Sequence, residues 1–254
     1  MLTSVSGNDR GRVTKLLAIP GTLTPPSNFD ALAQLLGRPM EVFDWMRTCP
    51  NSSVDDIAQM LSQRLAHTGS EVILVGHSTG AVIAALAACR LSPPPRGLVL
   101  INSGPHMHRH TLIREMLMTL RGLDAASTKW DDFARANVAT RNDGKDLRWI
   151  QEMVAYSKEV GGESAATALA SQHALDLRQL PSADIPVLVI HGMEDSKRSV
   201  SDAQEWNRVF NQCQISVIPQ AGHTPHLESP MEVSDLILSF MRLLGDPDEI
   251  RGAR

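Results

Sequence analysis

The chain has 254 residues, 43% of them hydrophobic, with a net charge of −4 from acids and bases mixed along its length. That is enough apolar material for one globular domain with an insertion. The absence of a basic stripe, together with few aromatic rings, excludes a nucleic-acid binder. The longest apolar runs fall short of a membrane span, and the N-terminal residues lack the apolar core of a secretory signal. Cys49, Cys89 and Cys213 are widely spaced and odd in number, as expected of reduced thiols. A cytoplasmic protein acting on a small molecule is expected, with no nucleic-acid or membrane partner.

Residues 1–11 are polar. Val13–Ile19 reads as a strand closed by Pro20 and Gly21, and Ser27 as the cap of a helix through Leu36, with Asp30 in capping-box position. Glu41–Trp45 reads as a short strand, and Ser53 as the cap of a second helix running to about His67. Val72, Ile73, Leu74 and Val75 form the continuous apolar run of a strand covered on both faces. Ala81, Ala84, Ala85 and Ala88 let the next helix lie close to that strand. Gly97–Asn102, Ile185–His191 and Gln214–Ile218 are further strands, with helices near 200–210 and 231–244.

This alternation predicts an α/β fold with a mostly parallel sheet between helical layers. It breaks from about Gly104 to Leu180, where only helical pattern is present, at 111–121, 128–139, 145–159 and 163–177. We assign residues 1–104 and 181–254 to the core and 105–180 to a helical lid. Such an insertion would sit over the carboxyl ends of the strands, where open α/β sheets bind ligands.

Between the strand at 72–75 and its helix stands Gly76-His77-Ser78-Thr79-Gly80. A Gly-x-Ser-x-Gly in this context is the sequence form of a nucleophile elbow: the turn is too tight for Cβ atoms at its ends, and its serine is left exposed. A serine hydroxyl needs a base to take its proton, and the base needs a carboxylate to orient it. Past later strands lie Glu194 and Asp195, both candidate acids, and His223, with His191 and His226 as competing bases. The developing oxyanion needs two preorganised N–H donors. Thr79, directly after the serine, and Thr22, in the loop after the first strand, are placed to supply them from the backbone.

These residues carry a resemblance. GHSTG at 76–80, the strand with HGMED at 191–195 and AGHTPHLESP at 221–230 are similar to the α/β-hydrolase fold family, in its branch of cap-bearing serine esterases, enol-lactonases and C–C bond hydrolases. The resemblance runs from about residue 13 to 244. It implies a helical lid inserted after the strand at about 97–102 and a triad of Ser78, Asp195 and His223, which favours Asp195 over Glu194. Pro20 stands where the family usually has histidine, and Ala81 where it commonly has a second glycine. The implied reaction is cleavage of a small carboxylic ester or lactone through an acyl-enzyme, with no metal or organic cofactor. C–C bond hydrolysis of a β-diketone-like acid is the nearest alternative. A lyase, a cofactor-free oxygenase and a non-catalytic receptor use the same scaffold.

His77, His106 and His226 are candidates to line the substrate pocket. His106, His108 and His110 alternate after a strand end, but no carboxylate or cysteine completes a metal set, so a lid-entrance role is expected. Arg109, Arg114, Arg121, Arg135, Arg141 and Arg148 read as a solvated face of the lid.

Overall fold

A computed structural model describes residues 14–107, 113–138, 147–180 and 183–246. Val13, the polar residues 1–11, His108, Arg109, His110 and Arg141 lie outside the described residues. In chain order the elements are β1 (Lys15–Ile19), α1 (Asp30–Leu36), β2 (Met40–Val42), α2 (Trp45–Thr48), α3 (Val54–Leu65), β3 (Val72–His77), α4 (Thr79–Arg90) and β4 (Gly97–Ile101). Four helices follow, α5 (Ile113–Gly122), α6 (Thr128–Val138), α7 (Leu147–Val160) and α8 (Gly162–Ala174). The chain then returns through β5 (Ala183–Gly192), α9 (Val200–Gln204), β6 (Phe210–Ile218), α10 (Pro225–Glu228) and α11 (Pro230–Leu243).

The strands form one sheet in the order β2-β1-β3-β4-β5-β6, and every described pairing is parallel. Parallel strands alternate side chains between two covered faces, so an unbroken apolar run serves two cores at once. Val72 and Leu74 point into the layer that holds α3 and α4. Ile73 and Val75 point into the opposite layer, packed with Leu32 and Leu36 of α1 and Ile237 and Phe240 of α11. The helices α5 to α8 interrupt the alternation between β4 and β5, where the sequence carries helical pattern at 111–121, 128–139, 145–159 and 163–177. No helix among the described residues is long and apolar enough to cross a membrane.

The two serines expected to cap helices differ in what they do. Ser53 caps α3, its hydroxyl accepting from the Asp56 N–H at 3.1 Å. Ser27 does not cap α1. The proline at 26 starts a 3₁₀ turn over Pro26–Phe29, which places Ser27 inside it, and its hydroxyl donates to Glu152 at 3.1 Å. The helix ends as glycine allows, with Gly37 at φ 63°. The strand expected over Glu41–Trp45 stops at Val42, because Asp44 caps α2 and turns Trp45 inward, 2% exposed.

A buried ion pair closes the end of the core. Arg38 Nη1 meets Asp246 Oδ2 at 2.5 Å, with both side chains under 10% exposed, and the Thr14 hydroxyl donates to Asp246 Oδ1 at 2.6 Å. Removing one partner of such a pair strands the other charge in a low-dielectric site. Asp246→Ala is therefore expected to cost about 3 kcal/mol, read as a lower urea midpoint at unchanged slope.

Candidate active site

The turn between β3 and α4 holds Ser78 at φ 53° and ψ −119°, a conformation costly for a residue with a side chain. Its surroundings impose that geometry. The Ser78 N–H donates to the Ile101 carbonyl at the end of β4, at 2.9 Å. A Cβ on Gly80 would lie 2.0 Å from the Ile19 carbonyl oxygen, and one on Gly76 would lie 2.4 Å from the Ala81 Cα. Only glycine fits at either place, so α4 can lie directly against β1 and β3.

The loops after β5 and β6 meet beside this turn. A Cβ on Gly192 would lie 2.2 Å from the Gly222 carbonyl oxygen, so the two loops touch through their backbones. This contact aligns three groups. His223 Nε2 lies 3.1 Å from Ser78 Oγ, and His223 Nδ1 lies 2.8 Å from Asp195 Oδ2. The Asp195 side chain is fully buried. Its Oδ2 also accepts from Asn102 Nδ2 at 2.7 Å, and its Oδ1 accepts from the N–H groups of Lys197 (2.7 Å) and Arg198 (3.1 Å). Burial alone would raise this carboxyl, but His223, Asn102 and the Lys197 N–H hold it well below the usual carboxylate range. Burial pushes the His223 imidazole below its ordinary value. Asp195 pulls it back up, and the cations of Lys197 and Arg198 push it down.

Asn102 was not anticipated from the sequence. It ends β4 at φ 46°, and its amide also donates to the Gly222 carbonyl at 2.9 Å while its Oδ1 accepts from the Gly192 N–H at 3.2 Å. One side chain thus ties the acid to both loops. Asparagine tolerates the left-handed region better than most residues, so an Asn closing a buried strand was the available signal.

The loop after β1 lies on the other side of the serine. The Trp45 indole N–H donates to the Pro20 carbonyl at 2.8 Å, and Met46 Sδ accepts the Leu23 N–H at 3.0 Å. These bonds from α2 support the loop that carries Pro20 and Thr22. The Thr22 hydroxyl donates to Thr79 Oγ1 at 2.8 Å, and the Thr79 hydroxyl donates to Gln172 Oε1 on α8 at 2.9 Å. Their side chains are committed to this chain of bonds.

Ser78, Thr22, Thr79, His77 and His223 all border one cavity of about 310 Å³. Its remaining wall is largely apolar and comes mainly from the insertion, through Met116, Leu120, Phe133, Met153 and Leu169. His106 and His226 do not border it, contrary to expectation. His106 is held in a bridge to Asp176, and its carbonyl accepts from Arg198 Nη1 at 2.9 Å. His226 is fully buried and stacks on Phe29 with centroids 5.0 Å apart. Burial, with His223 nearby, pushes it down to about 3. His77 touches His223 through its backbone, Nε2 lying 2.9 Å from the carbonyl oxygen, and burial keeps its imidazole neutral.

The competitors are elsewhere. His191 is buried with Nε2 against the Arg198 carbonyl at 3.2 Å, and Glu194 is exposed. Arg114, Arg121, Arg135 and Arg148 are exposed, as expected of a solvated face. No group of side chains among the described residues is arranged to hold a metal.

Comparison with known proteins agrees with this architecture. An sn-1-specific diacylglycerol lipase from Danio rerio is 25% identical over 256 residues, covering 92% of this chain and 80% of the relative. A 2-succinyl-6-hydroxy-2,4-cyclohexadiene-1-carboxylate synthase from Salmonella arizonae is 29% identical over 207 residues, covering 76% of this chain and 78% of that one. A solved hydrolase from Oleispira antarctica shares the fold at a TM-score of 0.75 and 17% identity, covering 91% and 92% of the two chains. The model of the alpha/beta hydrolase family matches residues 16–236. With an elbow, a parallel sheet and a family match over most of its length, the chain belongs to the alpha/beta hydrolase family.

Proposed function

We propose that the protein is a serine hydrolase of small carboxylic esters or lactones. Ser78 attacks the carbonyl carbon, and His223 takes the hydroxyl proton through Nε2. Asp195 fixes the imidazole's tautomer and stabilises its charged form. The N–H groups of Thr22 and Thr79 hold the oxyanion. His223 then protonates the departing alcohol, and a water molecule, activated by the same base, releases the acid from the acyl-enzyme. The observation that carries this reading is the pair of contacts at 3.1 and 2.8 Å joining Ser78, His223 and Asp195 at the wall of a cavity. The insertion of α5 to α8 acts as a lid, since its apolar side chains make up much of that cavity and would select the acyl group by size.

The relative named as a carboxylate synthase favours a second reading, a lyase in which His223 is the base and Ser78 is less essential. Formation of an acyl-enzyme separates the two.

A fluorophosphonate probe is expected to label the wild type at Ser78 and to leave Ser78→Ala and His223→Ala unlabelled. Turnover of a p-nitrophenyl ester should fall about a thousandfold or more in either variant. A folded wild type that neither reacts with the probe nor turns over the ester would sink the acyl-enzyme.

The base must be neutral to accept the proton, and burial lowers its pKa. In a plot of kcat/KM against pH, the acid limb should therefore have its midpoint below 6.5, the ordinary value. A midpoint above that value would contradict the role given to the buried His223.

Phe133→Ala enlarges the lid side of the cavity and should move the preferred p-nitrophenyl ester to a longer acyl chain by one or more carbons, measured as kcat/KM across a chain-length series.

A further inference from the structure

Among the described residues, the insertion contributes two hydrogen-bonding side chains to the cavity wall, Ser157 and Gln172. They differ in what they have left to offer. The Ser157 hydroxyl donates to the Val154 carbonyl at 2.8 Å and accepts from the Trp130 indole N–H at 2.9 Å, so its proton is committed within the insertion. Gln172 is 3% exposed, and its Oε1 accepts from the Thr79 hydroxyl at 2.9 Å. Its Nε2 has no partner among the described residues, and it is not one of the polar atoms sealed in the core. In a side chain so deeply buried at the cavity wall, the space open to that nitrogen is the cavity.

The amide is held in place from two directions. Helix α8 lies close to the core through Ala165, Ala166 and Ala168, all fully buried. Ser171, the residue before Gln172, accepts the Val54 N–H at the start of α3 at 2.9 Å, and Ser164 accepts the Asn51 N–H at 3.0 Å. Thr79 stands at the first position of α4 and accepts from the Thr22 hydroxyl at 2.8 Å, so its own proton is directed to Gln172. Linked hydrogen bonds polarise one another, and an amide that accepts at its oxygen is a stronger donor at its nitrogen. Because Thr79 directly follows Ser78, that donor stands close to where the reacting carbonyl must bind.

The geometry points to Gln172 as a specificity-determining residue whose Nε2 donates to an oxygen in the acyl chain of the substrate. The substrate is then an ester or lactone that carries an ether, keto or hydroxyl oxygen a few atoms from the scissile carbonyl. This rests on the hydrolase reading above and adds its substrate class. A plain hydrocarbon chain displaces water from the amide and leaves its N–H buried without a partner, a cost that an accepting oxygen avoids. A site built around such a donor rejects the analogue lacking the acceptor more strongly than an apolar pocket rejects a change of size.

The test uses pairs of esters that differ by one oxygen in place of a methylene. These are p-nitrophenyl methoxyacetate against the butanoate, and p-nitrophenyl 3-methoxypropanoate against the pentanoate. Each kcat/KM is divided by the rate of alkaline hydrolysis of the same ester, which removes the inductive effect of the oxygen. An apolar wall alone favours the hydrocarbon, whereas the wild type is expected to prefer the oxygen-bearing ester in at least one pair. Gln172→Met, similar in volume and without the amide, should shift that ratio about tenfold or more toward the hydrocarbon; Gln172→Leu replaces it should it fail to fold. Gln172→Glu, read at alkaline pH where its carboxyl is ionised, keeps an acceptor for Thr79, loses the donor and should shift the ratio likewise. A merely structural role would slow both members of a pair alike. An equal or reversed wild-type preference in both pairs overturns the assignment even if no variant folds, as does a ratio unchanged in any folded variant. Failure of the hydrolase reading is separate: it is turnover of both members that persists in Ser78→Ala. In that event calorimetry of the same four acids binding to Ser78→Ala decides the contact. Tighter binding of an oxygen-bearing acid that is lost with Gln172→Met supports it, and equal binding within both pairs overturns it.

Discussion

The site depends on how closely α4 can approach β1. Position 80 has no room for a side chain, because the Ile19 carbonyl occupies the place where a Cβ would stand. The close packing that results has two effects. It forces Ser78 into its strained turn with the hydroxyl above the carboxyl end of the sheet, and it brings the first N–H groups of α4 alongside the loop at 20–22. The Thr22 hydroxyl then reaches Thr79 at 2.8 Å. The proposed nucleophile and oxyanion donors thus depend on this backbone contact, together with the bonds from β4 and α2 that hold the turn and the loop.

The electrostatics are arranged in a similar way. Three imidazoles lie close together, with His77 centred 5.2 Å from His223 and 4.6 Å from His226. All three are pushed toward the neutral form by burial, and charge on one disfavours charge on the others. Only His223 has a carboxylate partner, so an incoming proton has one favourable destination. His226, although it follows the proposed base closely in sequence, serves as apolar backing stacked on Phe29.

The features legible in the sequence were those with local causes. The run Val72–Val75, the Ser53 cap and the helical stretch between β4 and β5 carry their signal in neighbours along the chain, and the elbow glycines were legible as a short motif. Ser78, Asp195 and His223 were picked out together from chemistry and position at strand ends, and they lie in contact. Ser27 was misread because Pro26 began a turn first, and Trp45 because a segment of a few residues carries no decisive period. Asn102, Gln172 and the Trp45 indole escaped notice for another reason. Their partners are distant in sequence, as with Asn102 and Asp195 at a separation of 93, and no spacing rule reaches that far.

The order of the strands has a further consequence for the growing chain. From β1 the sheet extends through β3, β4, β5 and β6, so its later members are added to one edge in the order of synthesis. The serine lies on the inner part of that sheet, whereas Asp195 arrives after β5 and His223 only after β6, both beyond the whole helical insertion. A nascent chain, or one whose outer edge has peeled away, therefore holds an unactivated hydroxyl. Under the proposed mechanism the hydroxyl becomes a nucleophile only once β6 and the loop after it are in place, which spares other molecules from a half-formed site.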